Sequence, residues 1–198
     1  MNRRTDTYAD FVDHPRYGRS PRFTGLNPID DFSRGIYLGW HSHAHERISE
    51  TAIVANTDRQ PDATIPVTHY FDLRRQCRDC GRNFIFFADE QRHWYETLHF
   101  YLGADCVRCI ECRVAERDTK RLREIYETLL NQNARSDRDA LELAETAMLL
   151  IDRGVFGHRC VECVRSLLNA LPADSKIRRH ATFRDVDARS TERIQGGG

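Results

Sequence analysis

The residues of this chain best suited to chemistry are cysteines set in pairs. Cys77-Arg-Asp-Cys80 and Cys109-Ile-Glu-Cys112 stand on either side of residues 81–108. A two-residue gap lets both sulfurs of a tight turn face one point, and two such turns complete the tetrahedron of a closed structural metal site. The pattern predicts one structural zinc ion held by Cys77, Cys80, Cys109 and Cys112. Cys106 offers a competing register, Cys106-x-x-Cys109, in which it would take the place of Cys112. The register ending at Cys112 is preferred because the helical pattern begins there, and a helix N-terminus favours thiolates. Arg78, Arg82, Arg108 and Arg113 flank the four ligands and offset the negative charge that four thiolates around a divalent ion leave.

Three further groups carry side chains capable of chemistry. Cys160-Val-Glu-Cys163 is a third pair, but Cys163 falls on an apolar stripe with Val164 and Leu167, so it reads as a small buried hydrophobe rather than a redox dithiol. The alternation His41-Ser-His43-Ala-His45 could aim three imidazoles to one side of a strand and hold a catalytic metal. No His-Glu-x-x-His motif completes such a site, so the metalloenzyme reading through His41, His43 and His45 is the second alternative. The first alternative is nucleic-acid contact through Arg74, Arg75, Arg117 and Arg121. Asp72, Asp79, Glu111, Glu116 and Asp118 interleave with that basic face and weaken its field.

Composition sets the setting. The chain has 30 basic and 30 acidic residues, so no global field draws it to nucleic acid or anionic lipid. No apolar run is long enough to cross a bilayer, and MNRRTDTYADF lacks the apolar stretch of a secretory signal. A cytoplasmic location is expected, with no membrane partner. In that reducing compartment seven cysteines point to metal rather than disulfides.

The elements that must position the cysteines follow from periodicity. Residues 1–65 carry Pro15, Pro21, Pro28 and Pro61 among scattered aromatics, which predicts a loop-rich arm that wraps onto the rest. From Ile65 the β-branched and aromatic run predicts a strand into Cys77, and Asn83-Phe84-Ile85-Phe86-Phe87 a strand out of Cys80, with Gly81 supplying positive φ at the turn. Asp89-Glu90-Gln91 opens a short helix with Trp94, Tyr95 and Leu98 on one side. Leu122, Ile125, Tyr126, Leu129 and Leu130 then mark the buried stripe of a helix beginning at the second cysteine pair. A further helix starts at the N-cap Ser136, with Asp139 three residues on, and stops at Gly154. A third spans about 160–171, with Val164, Leu167, Leu168 and Leu171 inward. The remainder from Asp174 is charged and ends in glycines, which predicts a mobile tail. Domain boundaries are therefore drawn at 1–65, 66–133, 134–173 and 174–198.

Residues 66–116 resemble a bacterial treble-clef family known as the probable zinc-ribbon domain. The resemblance rests on Cys77-x-x-Cys80-Gly81, Phe84, Phe86, Glu90-Gln91, Tyr95 and Arg108-Cys109-x-x-Cys112-Arg113. It departs in a slightly long spacer and in the extra Cys106. The resemblance implies a treble-clef core with zinc on the four cysteines, and it carries no catalytic residue, because the family has no settled activity.

The expected fold class is α+β: a treble-clef core of β-hairpin plus helix, a loop-rich N-terminal arm and a helical C-terminal extension. Zinc is expected to be a condition of folding, since a small hairpin and helix bury little apolar surface alone. The expected function is that of a zinc-binding, non-enzymatic adaptor or regulatory module whose partner is a protein.

Overall fold

The computed structural model describes residues 7–39, 45–62 and 65–196. The chain divides into two compact units, Met1–Arg113 and Val114–Gly198. Among the described residues the first unit holds four short strands. They pair antiparallel two by two: β1 (Ile53–Val54) with β2 (His69–Tyr70), and β3 (Leu73–Gln76) with β4 (Asn83–Phe86). The β3–β4 register runs from Leu73 opposite Phe86 to Gln76 opposite Asn83, which puts the Cys77–Cys80 turn at the hairpin tip.

Strand β4 is apolar on both faces because both faces are covered. Phe84 and Phe86 join Leu73, Cys77, Cys106, Cys109, Val12 and Leu38 in one buried cluster. Ile85 points the other way, into a cluster with Phe87 and Ile48 over which Tyr8, Phe11 and Tyr17 of the N-terminal arm pack. Each such ring or branched side chain taken out of water contributes about 1.5–3 kcal/mol, which explains why an arm so rich in aromatics lies down on the hairpin. The arm also satisfies open strand edges. Val12 donates its amide to Asn83 O at 2.8 Å, and on the β3 side Ile48 donates to Asp72 O at 2.9 Å while Arg74 donates to Glu46 O at 2.8 Å.

The strand expected from Ile65 into the first cysteine pair is broken in two, and Asp72 is the reason. Its side chain is 1% exposed. One carboxylate oxygen accepts the Ala88 amide at 2.7 Å and the other accepts the Arg22 amide at 2.8 Å. Turning a carboxylate inward to meet these two amides takes Phe71 and Asp72 out of the ladder, so β2 pairs with β1 while β3 begins afresh at Leu73. Burial pushes the Asp72 carboxyl up to about 6, against the two amides that stabilise its ionised form.

After β4 comes α1 (Ala88–Arg92), which widens into a π-helical turn over His93–Thr97, closed by the Leu98 amide on His93 O at 3.0 Å. The expectation of one apolar side is corrected here. Tyr95 is buried and Trp94 half-buried, but Leu98 is exposed, because the wider turn rotates it off the packed face.

Helix α2 (Ile110–Leu130) starts in the first unit and continues in the second. Of its predicted stripe only Leu129 is fully buried; Leu122, Ile125 and Tyr126 are half-buried and Leu130 is exposed. In the second unit α3 (Asp137–Asp152), α4 (Cys160–Ala170) and α5 (Ala181–Gly196) share one core. Ser136 and Asp139 form the predicted capping box, and Gly154 takes a φ of 69° just past the helix end. Leu141, Ala144, Ala147, Met148 and Ile151 of α3 meet Val161, Val164 and Leu168 of α4.

Two expectations fail in this unit. Residues 174–198 are not a mobile tail through their described part, since Ala181–Gly196 is helical. Its apolar residues are few but fall on one stripe: Phe183 and Val186 enter the core with Ser190 buried beside them. Charge also ties the helix down, as Arg193 and Arg189 both engage Asp152, the former at 2.6 Å. Arg178 closes the end of α4 by donating to Leu171 O at 2.7 Å and Pro172 O at 3.0 Å. Cys163, expected inward, is exposed; α4 turns Val161, Val164 and Leu168 to the core, and Cys160 is only half-buried. Among the described residues no helix is long and apolar enough to cross a membrane.

Candidate metal centre

Each half of the site is built by local hydrogen bonding. At the hairpin tip Cys77 donates its amide to Arg82 O at 2.9 Å and Gly81 donates to Cys77 O at 2.9 Å, a turn that closes because Gly81 takes a φ of 72°. At the start of α2, Arg113 donates its amide to Cys109 O at 3.0 Å, so Cys109 sits at the helix entrance and Cys112 in its first turn. The two halves are joined directly by the Arg78 amide on Val107 O at 2.9 Å.

This geometry brings the four predicted ligands together. The sulfurs of Cys77, Cys80, Cys109 and Cys112 all lie within 4.8 Å of one another. Four sulfurs about 2.3 Å from a central ion in a tetrahedron are about 3.8 Å apart. The Cys80 and Cys109 sulfurs are 3.8 Å apart. The seven cysteines are all free thiols, so no disulfide competes for these four. The donor set therefore fits a metal ion with four thiolate ligands and no open position.

Burial and amides set the protonation of the cluster. Burial pushes Cys77 up, yet the amides of Cys109, Cys80 and Asp79 outweigh it and bring the thiol down to about 6. Cys80 is lowered mainly by the Arg82 amide and guanidinium. Cys109 and Cys112 are raised, first by burial and then by neighbouring sulfurs.

Cys106 is excluded from the cluster. It is 1% exposed, its thiol donates to Arg108 O at 3.4 Å, and burial pushes it up to about 12. It packs as a small apolar residue beside Phe84 and Phe86. The sulfur cluster is thus formed with Cys112 and without Cys106. The flanking arginines are tied to carboxylates: Arg78 and Arg108 to Asp79, Arg82 to Glu111, and Arg113 to Glu90.

The non-cysteine positions of the sequence pattern prove to be supports. Gln91 donates its side-chain amide to Phe71 O at 2.6 Å and Phe86 O at 2.9 Å, binding α1 to the hairpin. Glu90, 7% exposed, accepts from Arg113 at 2.7 Å with His14 Nε2 at 3.6 Å, and so connects α1 to the first turn of α2. Burial alone would raise the Glu90 carboxyl, but His14 and Arg113 hold it below its ordinary value. Tyr95 donates its hydroxyl to Ala104 O at 2.7 Å, fixing the segment that leads to Cys109. Sequence reasoning quoted Glu90, Gln91 and Tyr95 without finding these roles, and it missed His14, whose partners lie far along the chain.

The alternative contact residues are scattered. Arg75 is held between Glu46 at 3.2 Å and Asp105 at 2.6 Å, with only 13% of its side chain exposed, which removes it from phosphate contact. Arg74 lies over the Tyr8 ring and donates to its hydroxyl at 3.2 Å. Arg117 and Arg121 are exposed on α2, in the second unit. His41 and His43 lie outside the described residues, and His45 is exposed. Among the described residues the four cysteines are the one group of three or more His, Cys, Asp or Glu side chains close enough to share an ion.

Comparison with curated proteins and with solved structures finds no match to this chain. Residues 71–121 match the family model described as a probable treble clef domain, the same segment that folds into the hairpin, α1 and the start of α2 around the sulfur cluster, and the chain thus carries a treble-clef domain with a four-cysteine site.

Proposed function

We propose that the four cysteines hold one zinc ion as a structural centre and that the chain acts as a non-enzymatic adaptor or regulatory module. The observation that carries the reading is the convergence of four thiol sulfurs within 4.8 Å of one another, with those of Cys80 and Cys109 at the 3.8 Å spacing of a tetrahedral thiolate site. A site closed by four protein ligands leaves no place for water or substrate, which favours a structural over a catalytic ion. Zinc suits a thiolate tetrahedron and has no redox chemistry to upset it. Phe23 at 67%, Ile29 at 76% and Phe32 at 67% exposure place apolar side chains on the surface of the N-terminal arm, which supports a protein partner.

The test is metal content by elemental analysis of the whole chain, wild type beside Cys77→Ser, Cys112→Ser, Cys106→Ser and Cys160→Ser. One zinc per chain is expected, lost with Cys77 or Cys112 and retained without Cys106 or Cys160. A folded, metal-free wild type would sink the zinc reading. The partner half is checked by comparing proteins retained by the wild type and by a Phe23→Ser/Phe32→Ser variant; identical sets would remove the arm from that role.

A further inference from the structure

A concave surface of the first unit stands apart from the metal centre and has a different chemistry. Arg16, Tyr17, Arg22, Arg92, His93 and Thr97 line an open cleft of about 650 Å³, with Asp89 at its side. Three guanidiniums and an imidazole face one carboxylate. Several arginines elsewhere in the unit are matched to acids: Arg75 to two, Arg82, Arg108 and Arg113 to one each. Here the balance is broken, and the excess charge is concentrated in a hollow, where field lines focus.

The cations are held in place rather than left on free stems. Asp89 gives one oxygen to Arg22 at 2.5 Å and the other to Arg92, so a single carboxylate fixes a side chain from the N-terminal segment beside one from α1. Arg16 and Arg22 both lie against the Tyr17 ring, with their guanidinium carbons 5.4 and 5.7 Å from its centroid. The Tyr17 ring is itself locked by stacking on His14 at 4.7 Å and by Phe87 at 5.3 Å. Among the described residues Arg16 meets no carboxylate, so its donors remain for a ligand.

Backbone geometry assembles the rest. The π-helical turn over His93–Thr97 sets both of its end residues, His93 and Thr97, on the cleft wall, and such turns recur at functional sites. The buried Asp72 carboxylate fastens the two walls together, taking the amide of Arg22 on one side and of Ala88, at the start of α1, on the other. Forked guanidinium donors, an imidazole and a hydroxyl around one hollow form a recognition set for a compact, doubly charged oxyanion. The Tyr17 ring is already occupied, so no aromatic face is offered for a base to stack on.

We propose that this cleft binds a phosphomonoester group, with Arg16 and Arg92 as its principal ligands. A monoester concentrates two charges on one phosphorus and suits a small cationic hollow. A nucleic-acid strand instead spreads one charge per phosphate along its length and asks for an extended groove.

The experiment is NMR titration of zinc-loaded, full-length protein at fixed ionic strength with inorganic phosphate, with O-phosphoserine and with a short single-stranded RNA, using sodium chloride as the ionic control. Saturable shifts on the amides of Tyr17, Arg92 and His93 are expected with phosphate and with O-phosphoserine, the two competing for one site. Arg16→Gln and Arg92→Gln should each weaken binding by at least about five-fold, since each removes a charge-assisted pair of donors, while Arg117→Gln in the second unit should leave it unchanged. Shifts that follow chloride equally, affinity indifferent to Arg16→Gln and Arg92→Gln, or RNA binding that phosphate does not displace would each overturn the proposal. Zinc content and far-UV dichroism of the variants establish that a lost response is not lost folding.

Discussion

Asp72 offers the sharpest test of how burial and hydrogen bonding compete in this fold. Its carboxylate is 1% exposed and accepts two backbone amides, those of Arg22 and Ala88. Burial wins, and the carboxyl rises from 3.8 to about 6. Because the folded value lies above the unfolded one, the folded state binds the proton more tightly. The associated stability is fully present below about pH 4 and is lost as pH rises through about 6. Integrating between pH 7.5 and 5.0 gives about 1 kcal/mol gained on acidification from this group alone, or roughly a five- to ten-fold shift in the folding equilibrium. Asp72→Asn removes the titration while keeping the shape, although its single carbonyl serves only one of the two amides. The assay is urea unfolding of both proteins at pH 7.5, 6.0 and 5.0, taking the difference between them at each pH so that every other titrating group cancels. The wild type should gain about 1 kcal/mol on the variant across that range. A flat difference, or one that moves the other way, would mean that the two amides outweigh burial and that the reasoning about this carboxylate is wrong.

Gln91→Ala should remove both side-chain bonds that tie α1 to the Phe71 and Phe86 carbonyls and cost about 1–3 kcal/mol, read as a lower urea midpoint with unchanged slope. Met148 is fully buried among α3, α4 and α5, so Met148→Ala should cost about 2–5 kcal/mol; a loss below about 1 kcal/mol would contradict the packing. Ser136→Ala removes the half of the capping box in which the serine hydroxyl accepts the Asp139 amide, while the Ser136 amide still donates to the Asp139 carboxylate, and should cost about 1 kcal/mol, with circular dichroism showing helix content nearly intact at low denaturant.

The parts of the fold legible in the sequence are those fixed by local chemistry. Two Cys-x-x-Cys pairs announce a metal site because the spacing itself shapes the turn. Gly81 and Gly154 declare positive φ because few other residues adopt it, and Ser136 with Asp139 declares a helix start because the reciprocal bonds span three residues. What stayed hidden depends on contacts between distant segments. Asp72 read as one more strand residue, and only the amides of Arg22 and Ala88 explain why it turns inward and splits the strand. Cys163 read as inward because Val164 and Leu167 share its side of a coarse stripe, yet the true stripe of α4 runs through Val161, Val164 and Leu168. The last helix escaped because its apolar anchors, Phe183 and Val186, are diluted by charge, and that charge is paired with other helices: Arg189 and Arg193 to Asp152, and Asp187 to Arg165.

The supports around the sulfur cluster bear on what a metal ion has left to do. Residues 81–108 separate the two cysteine pairs, and an unrestrained loop of that length would meet its own start only rarely. Here the path is fixed at several points that involve no ligand: Gln91 holds α1 to the hairpin, Glu90 with Arg113 holds α1 to α2, Tyr95 holds the approach to Cys109, and the Arg78 amide on Val107 O joins the two cysteine turns themselves. The sulfurs are thus brought within bonding reach of one ion by packing and hydrogen bonds. An ion held by these four sulfurs would neutralise thiolates that burial disfavours at Cys109 and Cys112, and it would act together with that packing in ordering the chain. Glu90, Gln91 and Tyr95 stand outside the sulfur cluster, yet together with the Arg78 amide they hold its two halves against each other.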